Sequence, residues 1–430
     1  MTHNWNNSAL ENLALPSTQV TVTQESTFED PTFNLPWYPW WVLEQIRKQP
    51  ERLVRCLPDY TPDKDPTAAI HVVWNQIRTA GLTSGPRSID DITDLLITQK
   101  LVNTENSYEA VLSAKDLVFC IIGLQTMLYQ PYFDVSAPGG YRIFDEMGGY
   151  QGSTRLCLNQ SPDSGTRSLP DFLLGFGMML PPPHYCASDN DDDRQFFNQI
   201  KTITPDDVDA HILSRLCGLK IQWVDSLSCH LELDKHSSTL FIYRYPSFCV
   251  SSIQQHELSN TIEGQKSVLH SCGSDGNGTL PWAKKEDVTG LLREILLSYR
   301  VIFGQNRRSR TVFRKLRPFA SIPRHGQDQS LGEFCGKKRF NCPLKLVEQE
   351  EYDLAIDFPH LQSRMAQLCG YASRKKPRSL RRLWQDRRDS PAWLAYWSAL
   401  AFGLMGLLLV LVQTVFQILQ YVDQVQSDTN

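Results

Sequence analysis

The sequence predicts an α+β cytosolic region with a helix-rich N-terminal part, followed by one C-terminal transmembrane helix. Three observations support this fold class. Of the 430 residues, 41% are hydrophobic and 21% are charged, which is the composition of a globular protein with a substantial core. Several segments repeat apolar residues at helical spacing. Residues 390–422 contain no charged side chain over 33 positions.

The uncharged run 390–422 is long enough to cross a bilayer. A span needs about 20 apolar residues, and this run as one helix would reach about 50 Å at about 1.5 Å per residue. The alternative is the core helix of a soluble protein, which rarely has this length. Aromatic residues favour membrane interfaces, and the ends of the run carry Trp393, Tyr396, Trp397 and Tyr421.

Basic residues flank only one side of the run. Residues 301–430 hold 20 Lys and Arg against 11 Asp and Glu, although the whole chain has a net charge of −4. The charged residues of the tail 423–430 are both acidic, Asp423 and Asp428. Because Lys and Arg are enriched on the cytoplasmic side, we expect a single-pass, tail-anchored topology with the bulk in the cytosol. Eight basic residues before the run are candidates for contact with anionic lipid headgroups: Arg374, Lys375, Lys376, Arg378, Arg381, Arg382, Arg387 and Arg388.

One face of the predicted membrane helix carries small residues and then amides. Small residues let membrane helices approach closely, and amides seek hydrogen-bond partners in lipid. This packing stripe therefore predicts self-association or a membrane partner. The alternative is that small residues are common in any span and that the glutamines mark its wet end. The stripe consists of Ala395, Ala399, Gly403, Gly406, Gln413, Gln417 and Gln420.

Composition divides the remainder into four regions. Residues 1–34 are polar, lack the apolar run of a secretory signal and predict a flexible arm. Residues 35–130 predict a helical region, 131–303 an α+β region, and 304–389 a basic linker and juxtamembrane region. The predicted helices are 42–48, 68–79, 89–102, 107–130, 204–216, 286–303 and 352–371.

The segment 204–250 has the outline of a winged helix. After the first helix, a second is predicted over 223–231 and a β-rich run over 239–245. The alternative is an ordinary α+β segment in which a strand over 228–234 pairs with 240–243. No nucleic acid partner is expected in either case, because the segment is acidic and phosphate contact needs basic residues.

The stretch 307–317 is basic and amphipathic, which favours contact with lipid headgroups or an acidic partner; the alternative is a solvated face. No motif predicts a catalytic centre or a cofactor: phosphate-loop, dinucleotide, GxSxG and HExxH patterns are missing. Eleven scattered cysteines predict reduced thiols, most of them in the core. No metal site is predicted, since the DxD of Asp191 and Asp193 is more typical of a solvated loop. A Cys/His nucleophile formed by distant residues stays open.

The sequence LWQDRRD over 383–389, followed by Trp393, Tyr396-Trp397, Gly403, Gln413 and Gln420, resembles the tail of a group of filamentous-fungal membrane proteins. The stretches 223–231, 245–249 and 292–300 are similar to the soluble part of the same group, and the likeness extends over most of 35–422. The resemblance implies a fungal source and a membrane placement. It implies no activity and no catalytic residue.

Together these patterns favour a membrane-tethered interaction or adaptor module that faces the cytosol. Its expected partners are the bilayer, anionic headgroups, an unidentified protein and a second copy through the membrane helix. The alternative is a membrane-tethered enzyme of another fold that acts on lipid or uses a Cys/His pair.

Overall fold

Most of the described chain is helical. The computed structural model describes residues 35–58, 60–61, 65–83, 87–104, 107–133, 140–146, 157–186, 191–259, 267–276, 281–339, 344, 346–375 and 390–428. The α-helices in this part are α1 (Tyr38–Arg47), α2 (Arg52–Arg55), α3 (Thr67–Thr83), α4 (Ile89–Thr98), α5 (Tyr108–Thr126), α6 (Leu169–Leu174), α7 (Asp191–Gln199), α8 (Pro205–Val208), α9 (Pro246–Ser259), α10 (Val268–Ser271), α11 (Lys285–Tyr299), α12 (Arg307–Leu316), α13 (Gln329–Gly336), α14 (Leu354–Asp357), α15 (Gln362–Arg374) and α16 (Ser390–Asp428). Wider π-helical turns lie at Ile212–Leu216 and Arg300–Gly304.

The strands of the described chain form small sheets. β1 (Tyr141–Arg142) pairs with β2 (Asn159–Gln160), and β3 (Thr202–Ile203) pairs with β7 (Tyr352–Asp353), both antiparallel. In the largest sheet, β6 (Thr239–Tyr243) lies between β4 (Lys220–Val224), which is parallel to it, and β5 (Leu233–Asp234), which is antiparallel. The predicted combination of many helices, some short strands and one C-terminal apolar helix is confirmed.

Helix α4 begins where its capping residues predict. The Ser88 hydroxyl accepts the N–H of Asp91 at 3.0 Å, and the Asp91 carboxylate accepts the N–H of Ser88 at 2.9 Å. This reciprocal pair satisfies two donors that the first turn leaves without a partner. The helix ends at Thr98, earlier than predicted, and Lys100 then takes a left-handed conformation with φ of 57°.

The winged-helix interpretation of 204–250 is not confirmed. The predicted helix over 223–231 is wrong, because Trp223 lies in β4, which pairs in parallel with β6. The alternative strand exists in a shorter form, since Leu233 pairs with Leu240. The first helix ends at Val208 because Asp209 is extended and its carboxylate accepts the N–H of Ile212 at 2.8 Å. The π-helical turn begins there.

The predicted helix over 352–371 is also divided. Its first residues form β7 and α14, and Phe358 leaves the helical region with φ of −136°. Pro359 explains the break, since proline restricts the residue before it and has no N–H to continue a helix. The chain becomes helical again in α15, which packs on α7 and α8.

One hydrophobic core cluster extends from Leu35 to Ala372. Trp74 comes from the predicted helical region, Tyr243 from the α+β region and Phe334 from the region predicted as a basic linker, and all three are buried. Within that last region, α12, α13 and α15 are therefore packed onto the core. The domain boundaries stay predictions.

Candidate basic cleft and membrane-spanning helix

Helix α16 is long and apolar enough to cross a membrane. Its apolar part, Leu394–Tyr421, has 28 residues and a mean hydropathy of 2.3, and none of its most apolar window is buried against the rest of the chain. At about 1.5 Å per residue it extends about 42 Å, more than the ~30 Å of a hydrocarbon core. A core helix of a soluble protein would be covered by its own chain, and this one is not.

The predicted packing stripe lies along α16 on exposed positions. A Cβ atom added to Gly403 or Gly406 would have no neighbour within 4 Å. Of the interfacial aromatics, Tyr396 is 37% and Tyr421 is 70% exposed, and the Trp397 ring lies edge-on to Tyr396 at 5.5 Å. The Trp393 side chain is outside the described part of the chain. What binds the stripe stays a prediction.

The two described members of the juxtamembrane basic set contact the folded body. Arg374 ends α15 and lies 4.0 Å from Asp192 and 3.9 Å from Asp193. The Lys375 ammonium lies 5.1 Å from the centre of the Tyr371 ring. Lys376 to Arg388 are outside the described residues. The acidic residues 191–193, predicted as a loop tip, form the first turn of α7, and Asp193 is paired with Lys235.

Most cysteines are core residues, as predicted. Eight of the ten in the described chain are buried and all ten are free thiols. Burial raises the pKa of Cys56 and of Cys272 to about 12, which leaves them protonated and poor nucleophiles. Among the described residues, no group of three His, Cys, Asp or Glu side chains is arranged to hold a metal ion.

A buried His–Ser pair lies inside the core. The His230 ring is 2.7 Å from the Ser298 hydroxyl, and burial lowers the pKa of this histidine well below its usual value. The Arg364 guanidinium donates to the His230 carbonyl at 2.6 Å and pairs with Glu232 at 2.7 Å. His230 and Ser298 have no exposed surface, so this pair is enclosed within the core.

A strongly basic concave surface lies beside α12. A cleft of about 980 Å³ is bounded on one side by this helix and on the other by the segment that follows α13. On α12 the lining residues are spaced three, four and seven positions apart, which places them on one helical face. We call this the basic cleft, and its lining residues are Gln305, Arg307, Arg310, Thr311, Arg314, Gly336, Lys337, Lys338 and Arg339.

Helix α12 is amphipathic in a way that exposes Arg307, Thr311 and Arg314, whereas Arg310 is buried. Ser309 and Phe313 are buried on its inner side, where the Phe313 ring packs edge-on to Trp223 and near Phe303. Asn306 caps the helix by accepting the N–H of Arg308 at 2.9 Å. The anchored inner face therefore fixes the arginines that line the cleft.

A buried arginine holds the second wall. Arg300 is 0% exposed and lies in the π-helical turn that precedes α12. It donates to the carbonyls of Phe334 at 2.6 Å, Lys337 at 2.9 Å and Lys338 at 3.0 Å. It also pairs with Glu348 at 2.5 Å. These bonds fix the backbone of 334–338 against the start of α12.

The cations of the cleft are close together and largely lack acidic partners. Lys337 pairs with Glu333 at 2.7 Å. Within the part of the chain that the structure describes, Arg307, Arg314 and Lys338 have no ion-pair partner. The pKa of Arg310 is lowered, mainly by burial and then by repulsion from the guanidiniums of Arg300, Arg314 and Arg307. Its own bonds go to the neutral carbonyls of Gly304 and Gln305.

The sequence indicated one side of this cleft only. The arginines of α12 belong to the basic amphipathic stretch 307–317, whereas Lys337, Lys338 and Arg339 were not singled out. Three consecutive basic residues after a short helix are an ordinary solvated pattern. The tertiary bonds of Arg300 bring the two segments together.

No protein-family model, curated protein or solved structure matches this chain.

Proposed function

We propose that this chain is a single-pass, tail-anchored membrane protein whose folded body faces the cytosol and acts as an interaction module. The observation that carries the proposal is a contrast within the described chain. The most apolar window of α16 is uncovered, whereas buried residues from Leu35 to Ala372 share one core. Such a division fits a binding body tethered to a bilayer.

The flanking charges support the orientation. Eight Lys and Arg lie between 374 and 388 on the side of the body, and only acidic charges follow on the other side. A cytosolic flank attracts anionic lipid, and each basic residue near that surface contributes about 1 kcal/mol. Arg374 is partly neutralised by Asp192 and Asp193, so we expect the lipid contacts to begin with Lys375.

The character of the body supports binding in preference to catalysis. The thiols with strongly raised pKa values are buried, and the His230–Ser298 pair is enclosed. The basic cleft, in contrast, is open to solvent and offers charge without a general base. The expected partners stay anionic lipid headgroups, an unidentified protein, and a second copy through the packing stripe of α16.

Glycosylation mapping tests the topology. An acceptor tag is added after Asn430, and three natural acceptor sites report on the rest of the chain: Asn6-Asn7-Ser8, Asn159-Gln160-Ser161 and Asn277-Gly278-Thr279. We expect an endoglycosidase-sensitive shift from the tag alone, and the chain should resist carbonate extraction. The control is the triple variant Asn6→Gln, Asn159→Gln and Asn277→Gln, because it removes the internal acceptors and must leave the tag signal unchanged. Modification of an internal acceptor in the native chain would place the body in the lumen and refute the proposal.

A further inference from the structure

We propose that the basic cleft is a binding site for a compact ligand that carries about three phosphoryl groups. The site is formed by the outward face of α12 and by 336–339, and its geometry does not depend on which side of a membrane the body faces. The inference therefore goes beyond the proposed function and stands or falls separately from it.

The residue types favour phosphoryl groups. Four of the six cations in the cleft are arginines, and a planar guanidinium binds a phosphate through two parallel hydrogen bonds. Helix α12 also begins at the cleft with Arg307, and the positive end of the helix dipole attracts anions, although Asn306 already accepts the N–H of Arg308. Side chains and helix end thus act with the same sign.

Charge and size set the number of phosphates. Lys337 is paired with Glu333, and Arg310 is buried with its guanidinium bonded to the carbonyls of Gly304 and Gln305. The cations open to a ligand are therefore Arg307, Arg314, Lys338 and Arg339, and Arg310 adds its positive charge to the field. Each phosphoryl monoester carries about −1.5 to −2 at neutral pH, so about three would neutralise this set. A volume of about 980 Å³ is far larger than one phosphate needs. It lies at the upper end of the usual ~300–1,000 Å³ range for ligand sites.

The cleft does not suit a nucleic acid strand. Proteins that bind single strands stack bases on aromatic side chains, and none of the residues that line this cleft is aromatic. A ring such as inositol, substituted with phosphates, needs charge and hydroxyl contacts only, and Thr311 and Gln305 supply polar groups between the arginines.

The test compares two double variants of the full chain in phosphatidylcholine nanodiscs, with inositol trisphosphate as the probe in isothermal titration calorimetry. Arg307→Gln with Arg314→Gln removes two charges that line the cleft. Arg308→Gln with Lys315→Gln removes the same charge from neighbouring positions of α12 that do not line it. We expect saturable binding that the first pair weakens by about tenfold or more and the second by about twofold or less.

Thermal unfolding without ligand is measured for both pairs, and the first should be at least as stable as the native chain because it relieves repulsion around Arg310. If the two pairs of substitutions weakened probe binding equally, the proposal would be overturned, because binding would then reflect only the diffuse positive charge of α12. No saturable binding by the native chain would also overturn it, as would tighter binding of a single-stranded oligonucleotide.

Nanodiscs that also contain phosphatidylinositol bisphosphate distinguish the two sources of the ligand. If the lipid headgroup occupies the cleft, the soluble probe must bind more weakly to the native chain in these nanodiscs than in phosphatidylcholine alone. In the variant with Arg307→Gln and Arg314→Gln, the added lipid must then have no such effect. If the affinity is unchanged, the site takes a soluble ligand. Either result supports the site, and neither depends on the glycosylation map.

Discussion

Replacement of Arg300 by methionine tests how the second wall of the basic cleft is held. The guanidinium has no exposed surface, and methionine has a similar length but no hydrogen-bond donor. The apolar stem is retained while every acceptor loses its donor. The acceptors include the carbonyls of Phe334, Lys337 and Lys338 and the carboxylate of Glu348.

The expected loss of unfolding free energy follows from the burial of these acceptors. The bond to Phe334 is buried, and a buried acceptor without a donor costs about 1–3 kcal/mol. The bonds to Lys337 and Lys338 are partly buried and contribute about 1 kcal/mol each. Glu348 is 40% exposed, so solvent screens this pair to less than about 1 kcal/mol. Because relief of guanidinium desolvation offsets a part, we expect a loss of about 3–5 kcal/mol.

The assay is thermal unfolding of the full chain in detergent micelles, followed by tryptophan fluorescence. At roughly 2 °C per kcal/mol for a body of this size, the midpoint should fall by about 6–10 °C. The control is Arg293→Met on α11, whose pair with Glu257 at 2.7 Å is about half exposed and should contribute about 0–1 kcal/mol. Equal losses in the two variants, or a loss below about 1 kcal/mol for Arg300→Met, would refute the reasoning.

Three further changes test neighbouring features. Gly304→Ala places a Cβ against the Arg300 guanidinium and should destabilise the protein by about 1–3 kcal/mol. The control Gly332→Ala meets nothing within 4 Å and should be neutral or stabilising. Destabilisation by both variants in chemical denaturation would contradict this. Burial raises the pKa of Glu294 to about 8, so its contribution to stability is present below about pH 4.3 and is lost as the pH rises towards 8. Glu294→Gln should flatten that decline of the unfolding free energy with pH. A difference in unfolding free energy between variant and native chain that does not change with pH would exclude Glu294 as its cause. Replacement of Ala399, Gly403 and Gly406 by leucine should abolish crosslinked oligomers in membranes. Oligomers that survive this change would rule out self-association through the packing stripe.

The helices that the sequence predicted well have local causes. Ser88 and Asp91 complete a capping box within four residues, and α4 begins there. Helix α11 repeats apolar residues on one face, and its observed start at Lys285 is one residue from the predicted one. Helix α16 follows from an uncharged run that no competing pattern interrupts. In each case the signal and the structure lie within a few turns of the same chain.

The errors occur where distant segments decide the conformation. The residues 223–231 have leucines at helical spacing, yet Trp223 is drawn into β4 by parallel pairing with Ile242. Parallel strands require a crossover between them, so no short window contains the signal. Charge also conceals burial in 304–389, where Phe313 and Phe334 are core residues, while the boundaries of this region stay a prediction. Charge on one face of a helix does not exclude burial of the other.

The basic cleft combines both situations. Arg307, Arg310 and Arg314 recur at helical spacing, so their common face could be read from the sequence once α12 was recognised. The residues 337–339 gain a role only because Arg300, far from them in sequence, binds the carbonyls beneath them. It follows that Arg300→Met should also weaken the binding of inositol trisphosphate, measured at temperatures where the variant is still folded, because the second wall of the cleft loses its support. If affinity is retained while stability falls, Arg300 holds the fold alone and the wall is positioned by α13.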